Sequence, residues 1–323
     1  MSENQYTYAV ARIRSKELGL LNNQFLEQLL AAKSYGECLK LLADKGWGGD
    51  EHLTAEEILM REREKTWSLI GELVDDLSVF DVFLYANDYH NLKAAIKLVC
   101  SGQEEHGNIF LSQATIPPEQ VLEAVRTHAF GDLPEHMRET AQEAFESLLH
   151  TKDGQLCDLI VDRGALDAIH QTGKQATNEL LRLYAEITVV AADIKIAVRA
   201  QKTGKPLDLI KRALAPCDTL DVDRLAYAAV GGVDAICAYL EGTSYADAVP
   251  ELKTSPSAFE RWCDNLLIRK IKPQQYNAFT IGPLAAYILA RENEIKTVRI
   301  ILSGKLNHLS EESIRERLRE MYV

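Results

Sequence analysis

A pattern of eleven or twelve residues returns three times along the chain, and it limits the fold more than any other feature of the sequence. Residues 91–102 read Asn-Leu-Lys-Ala-Ala-Ile-Lys-Leu-Val-Cys-Ser-Gly. Residues 193–204 read Asp-Ile-Lys-Ile-Ala-Val-Arg-Ala-Gln-Lys-Thr-Gly, and residues 294–304, one residue shorter, read Glu-Ile-Lys-Thr-Val-Arg-Ile-Ile-Leu-Ser-Gly. Each copy has a polar residue, an aliphatic one and a lysine. A second basic residue (Lys97, Arg199, Arg299) then stands five positions before a closing glycine. The two basic residues are about one helical turn apart and keep one side of a helix wet, while their small and aliphatic neighbours bury the other. Glycine after Ser or Thr predicts a helix stop, because it takes the left-handed C′ conformation at little steric cost. Gly102, Gly204 and Gly304 fall 102 and 100 residues apart. After each stop, Ile116–Val121, Leu220–Leu225 and Leu309–Ile314 share an aliphatic residue, a nearby acid and a second aliphatic five positions on. These read as starts of the next helix. The chain therefore divides into three related helical units, near 1–112, 113–213 and 214–323. A period near 100 residues suits domains, since helical solenoids repeat roughly every 34 to 47.

Apolar spacing elsewhere is helical too. Leu180, Tyr184, Ile187, Ala191, Ile194 and Val198 step by four and three, a heptad-like stripe. Leu73, Leu77, Phe80 and Leu84 predict a helix whose start is Thr54, with Glu57 completing a capping box and Arg61 one turn beyond it. A third helix begins at Pro283, where proline suits the first turn, and carries Leu284, Ile288, Ile295, Val298 and Leu302. No run of strict apolar/polar alternation with hairpin turns accompanies them. The fold class is all-α.

Composition excludes several functions. The formal net charge is -12, which repels nucleic acid and anionic lipid and favours a neutral or basic partner surface. Six scattered cysteines, at 38, 100, 157, 217, 237 and 263, form no Cys-x-x-Cys pair and suit reduced thiols in a cytosolic compartment. The first 17 residues carry no apolar signal-like run. The longest uncharged stretch, Pro273–Ala290, is interrupted by Gln274, Gln275, Asn277, Gly282 and Pro283. It reads as a buried or interface segment instead of a membrane span, with Tyr276 and Phe279 as its candidate contact residues.

No motif for bond chemistry stands out. The pairs Gly173-Lys174, Gly204-Lys205 and Gly304-Lys305 have no glycine five positions before and no Ser or Thr after, so none is a phosphate-binding loop. Gly46-Trp47-Gly48-Gly49 reads as a loop between helices. The histidines at 52, 90, 106, 128, 136, 150, 170 and 308 show no zinc-ligand spacing, and Pro134 separates His128 from His136. No nucleophile elbow is present. Asp75-Asp76 and Glu311-Glu312 read as charges on helical surfaces. Arg269, Lys270 and Lys272 read as a solvated helix end. Arg315, Arg317 and Arg319, interleaved with Glu316 and Glu320, read as a mixed-charge helix. The expectation is a chain with no catalytic residue, no cofactor and no metal, which works by binding other proteins.

The same segments resemble one family. Tyr8-Ala9-Val10-Ala11-Arg12-Ile13-Arg14, then Glu17 and Leu20-Leu21, are similar to the N-terminal pattern of the C subunits of bacterial and archaeal A/V-type rotary ATPases, equivalent to the d subunit of the vacuolar enzyme. Leu26, Leu29 and Leu30, the stretch Asp88-Tyr89-His90-Asn91-Leu92-Lys93, and Glu292-Asn293-Glu294-Ile295 with Arg299 and Gly304-Lys305 continue the match. Ile314-Arg315-Glu316-Arg317-Leu318-Arg319-Glu320 and Tyr322 complete it. Asp193 departs from it, standing where the first copy has Asn91, and so does the short Gly282-Pro283 approach to the last helix. The resemblance implies a funnel of three helical domains with no catalytic residues. It also implies a place on the cytoplasmic face of the membrane, between the D and F subunits of the central shaft and the membrane ring that carries H⁺ or Na⁺. There the protein would pass torque between ATP synthesis or hydrolysis and ion transport.

Overall fold

The computed structural model describes residues 6–48, 53–102 and 109–323. Among these no strand occurs, and the fold is all-α as the periodicity predicts. The chain forms two compact units. One comprises the residues up to Leu77, residues 178–180 and Pro250–Val323; the other comprises residues 78–177 and 181–249.

Local sequence sets the first helices. They are α1 (Thr7–Glu17), α2 (Asn23–Ala31), α3 (Tyr35–Asp44) and α4 (Ala55–Leu73). Asn22 and Ser34 cap α2 and α3 by accepting from the Phe25 and Glu37 amides. Thr54 and Glu57 form the expected capping box at the start of α4. Gly46 and Gly48 take positive φ in the turn after α3, while Gly49 and His52 lie outside the described residues, as does His106. The predicted continuation of α4 through Leu84 does not occur. The helix stops at Leu73, Val74 is extended, and a 3-10 turn spans Leu77–Phe83. The stiff β-branched Val74 and two carboxylates beside the negative end of the helix dipole disfavour another turn. Asp75 and Asp76 thus sit in the break and not on a helical face.

The second unit holds α5 (Tyr85–Ser101), α6 (Pro118–Arg126), α7 (Glu135–Thr151), α8 (Gly154–Gln175) and most of α9 (Glu179–Lys202). It continues with α10 (Leu207–Ala213), α11 (Val222–Gly231) and α12 (Val233–Glu241). Helix α5 packs on α6, α7 and α8. The stripe on α9 is broader than the heptad reading. Leu180, Ile187 and Ile194 are buried, Tyr184, Ala191 and Val198 only partly, and Leu181, Ala185, Val189 and Ala197 are buried beside them. A helix apolar on most sides is a core helix, not a coiled-coil seam.

Through α13 (Val249–Thr254) the chain returns to the first unit, which it completes with α14 (Pro256–Ile271), α15 (Gly282–Leu306) and α16 (Glu311–Arg315). Helix α15 is the axis of this unit, packed by α1, α3, α4, α14 and α16. Every residue from Ile281 to Ala290 is buried, and so are Ile295, Val298 and Leu302. The uncharged stretch is therefore two things: a partly exposed 3-10 turn and loop before Ile281, and core helix after it.

The helix starts after each repeat form where the sequence places them. Helices α6, α11 and α16 begin two residues after Ile116, Leu220 and Leu309. Two of the three glycine stops also form, with Gly102 at φ 64° and Gly204 at φ 62°. Gly304 behaves differently. Helix α15 runs past it to Leu306, and a Cβ at Gly304 would lie 2.5 Å from Ile314 Cγ1. This glycine serves the close approach of α16. Because Ile314 is 1% exposed and cannot swing away, Gly304→Val should cost about 2 kcal/mol in urea unfolding. Unchanged stability would mean that α16 simply lifts off.

The C-terminal end corrects another expectation. Arg315, Arg317 and Arg319 do not share a helix, because α16 ends at Arg315. Arg315 pairs with Glu27 and Glu311, whereas Arg319 is buried and donates to Asp264 at 2.8 Å. Met321 and Tyr322 are buried with it. Packing of this tail, not helix periodicity, places those side chains.

Candidate interaction surface

The repeated polar residue proves to be a backbone clamp. Asn91 accepts from the Leu111 amide at 2.8 Å and donates to the Leu111 carbonyl at 2.9 Å. Asp193 accepts from the Ala215 amide at 2.9 Å. Glu294 accepts from the Leu21 amide. Each is buried, and each satisfies backbone groups of a segment distant in sequence. The repeated cations hold neighbouring helices at the rim. Lys93 and Lys97 pair with Asp162 and Asp158 on α8, Lys296 with Asp264, and Arg299 with Glu56. In the middle copy Lys195 is exposed, as is Arg199.

The Gly-Lys pairs have packing roles as well. A Cβ at Gly173 would lie 2.3 Å from Ala185 Cβ, so this glycine lets α8 and α9 touch. Lys174 reaches Asp218 at 3.1 Å. Lys205 reaches Gln155 at 3.2 Å. Lys305 donates to the Leu30 and Ala32 carbonyls, satisfying the end of α2.

Burial also quiets the thiols. Cys157 is pushed up to about 11 and Cys217 to about 12, mainly by desolvation, and Cys38 and Cys100 rise for the same reason. None of these four is a thiolate nucleophile at neutral pH. No disulfide links any two of the six cysteines. Among the described residues, no helix is long and apolar enough to cross a membrane.

Two ends of the chain meet in the first unit. One terminal nitrogen of Arg14, on α1, donates to both carboxylate oxygens of Glu17, at 2.7 and 2.8 Å. The other terminal nitrogen donates to the Gln274 and Asn277 carbonyls, at 2.5 and 2.8 Å. Gln275 donates to the Tyr322 carbonyl, and the Tyr322 hydroxyl donates to Glu17. Asn277 ties its own loop by donating to Gln274 and Thr280. The 3-10 turn Lys272–Tyr276 and the loop to Thr280 are thus pinned from three directions. From this pinned loop Tyr276 and Phe279 project into solvent, 89% and 60% exposed. Leu18, at the end of α1, is 89% exposed. At the end of α14, Arg269 pairs with Glu320 at 2.7 Å, and Lys270 is exposed. Exposed aromatic side chains on a rigidly held loop are suited to docking, because little conformational entropy remains to be lost.

The same unit contains a buried ion network. Arg291 donates to Glu62 at 2.6 Å and to Glu294, and its guanidinium lies 5.1 Å from the Trp47 ring centre. All three charged residues are less than 9% exposed. Glu62 also pairs with Lys65 at 2.6 Å. Desolvation pushes the Glu294 carboxyl up to about 7 despite Arg291. The resemblance singles out Glu292–Ile295 but not Glu62 or Arg291, which lie more than 200 residues apart in sequence.

The chain is similar to known proteins over nearly its whole length. The ATP synthase (C/AC39) subunit family matches residues 9–317. The C subunit of the A-type ATP synthase of Methanocaldococcus jannaschii is 25% identical, with 97% of this chain and 86% of the relative aligned. The C subunit of the V-type sodium ATPase of Enterococcus hirae is 24% identical, over 96% of this chain and 97% of the relative. The C subunit of the A-type ATP synthase of Desulfurococcus sp. is 23% identical, over 96% of this chain and 90% of the relative.

Proposed function

The chain belongs to the ATP synthase (C/AC39) subunit family, and on that premise we propose that it is a non-catalytic rotor component of a V-type rotary ATPase. In this reading it links the central shaft, built of the D and F subunits, to the membrane ring and couples ATP synthesis or hydrolysis to H⁺ or Na⁺ transport. It attaches to the cytoplasmic face through that complex. Its three related units, near 1–112, 113–213 and 214–323, offer similar surfaces to a ring of repeated proteins.

The observation that carries the reading is the family match over residues 9–317, which covers nearly all of both compact units. Physical support comes from stiffness. A torque adaptor must not yield between shaft and ring. Here the repeats use their polar side chains to clamp distant backbone, and α15 is buried along most of its length.

The pinned loop with Tyr276 and Phe279 is the proposed contact with the ring. Replacing both with glutamate should leave the helical circular dichroism and unfolding midpoint unchanged, since both side chains already face water. Rebinding to ring-bearing membranes stripped of the chain should weaken about tenfold or more, as for anchors in an interface core. Equal rebinding by the variant would place the contact elsewhere on the protein.

A further inference from the structure

In the second unit, α8, α9 and the segment after α10 line a half-open cleft of about 210 Å³. His170 on α8, Glu186 on α9 and Asp218 from that segment bring one imidazole nitrogen and two carboxylates within 4.8 Å of one another. No spacing motif reveals them, because they lie 16 and 32 residues apart and meet only through tertiary packing.

His170 is the informative member. It is 4% exposed, yet neither ring nitrogen has a hydrogen-bond partner among the described residues. Nε2 stands 3.5 Å from Asp218 Oδ1 without the geometry of a hydrogen bond. A buried imidazole normally satisfies at least one nitrogen. This one lines a cleft whose other walls include Glu186 and Asp218. The Glu186 carboxylate is held at a defined position. Glu186 accepts from the Asp218 and Thr219 amides at 3.0 and 2.7 Å and from the Thr219 hydroxyl at 2.5 Å. Asp218 is paired with Lys174, whose ammonium lies 3.1 Å away and is half exposed.

We propose that His170, Glu186 and Asp218 form a site for a divalent transition-metal ion of the zinc type. One imidazole and two carboxylates match the donor preference of such ions, with metal–ligand distances of about 2.0–2.2 Å. Three donors spaced up to 4.8 Å need only a small inward movement, and exposed Asp218 is free to make it. The ion fills the role that Lys174 now plays as the cation beside Asp218, and the lysine swings out to water. The ion also replaces the long 3.5 Å approach of His170 to Asp218 with a direct bond to the ring nitrogen. Its effect is a staple joining α8, α9 and the 215–219 segment, which Asp193 and Glu186 already grip through backbone amides.

The test uses the full chain, freed of metal with a chelator and titrated with zinc chloride against a chromophoric zinc indicator, with magnesium chloride as the control. One zinc should bind per chain, and magnesium should not compete. Asp218→Asn, at an exposed position that does not threaten folding, should weaken zinc binding at least about tenfold, as should His170→Gln. Lys174→Gln should tighten it by removing the competing cation. The cobalt(II) form should show no thiolate charge-transfer band, which distinguishes this site from adventitious binding to the cysteines. Zinc affinity unchanged in Asp218→Asn, a thiolate band, or no zinc binding at micromolar concentration would each overturn the proposal.

Discussion

Arg291→Met is expected to lower the stability of the chain by about 3–5 kcal/mol at pH 8. The substitution keeps much of the packing volume and the stem of the side chain but removes the charge between Glu62 and Glu294, 4% and 2% exposed. Two buried carboxylates would then be left with Lys65, which reaches only Glu62. The loss should shrink at pH 5. Glu294, already pushed up to about 7 with Arg291 present, would take a proton and shed its buried charge. Urea unfolding at the two pH values measures this. A loss of the same size at both would mean that packing against Trp47, not charge, is what Arg291 contributes.

The second large effect has the opposite sign. Asp193→Asn should stabilise the chain by about 1–3 kcal/mol at pH 8 and by much less at pH 4. Asp193 is fully buried, its Oδ1 accepts from Ala215, and its Oδ2 has no hydrogen-bond partner among the described residues. Desolvation, the leading cause, raises its carboxyl to about 7. The unfolded value is about 3.9. Between those values the folded state holds a proton that the unfolded state has released, so stability falls as pH rises through this window. Asparagine removes the charge, and the first repeat shows that an amide suits the position, since Asn91 makes the equivalent clamp with both its oxygen and its nitrogen. The check is the unfolding midpoint of both proteins from pH 4 to pH 8. Parallel curves would mean that Asp193 is not the group that titrates.

Both sites lie where sequence legibility stops. The helical class, the Thr54–Glu57 capping box, the starts of α6, α11 and α16, and the stops at Gly102 and Gly204 are local matters. Propensity, capping and the freedom of glycine decide each of them within a few residues. The break after Leu73 is hidden because apolar spacing continues across it, while Val74 and two acids end the helix. Gly304 has the pattern of a third stop, yet its role is to admit Ile314. That contact is invisible to any local pattern.

The interaction surface is half legible. An uncharged run around Tyr276 and Phe279 stands out, but nothing local shows that core helix begins just after Ile281. Nor does anything local show that Arg14, from the opposite end of the chain, pins the loop. The clamps are visible only as repeated polar residues with no evident task. Their partners lie 20 or more residues away, and pairing over such distances is fixed by packing.

Whether the chain joins the shaft to the ring is tested by affinity capture of the tagged chain from mildly solubilised native membranes, with mass spectrometry of the co-purifying proteins. A rotor component should bring down the ATPase shaft proteins and the membrane ring protein, with ATPase activity in the captured complex and none in the isolated chain. Recovery of the chain alone, or with unrelated soluble proteins, would contradict that role.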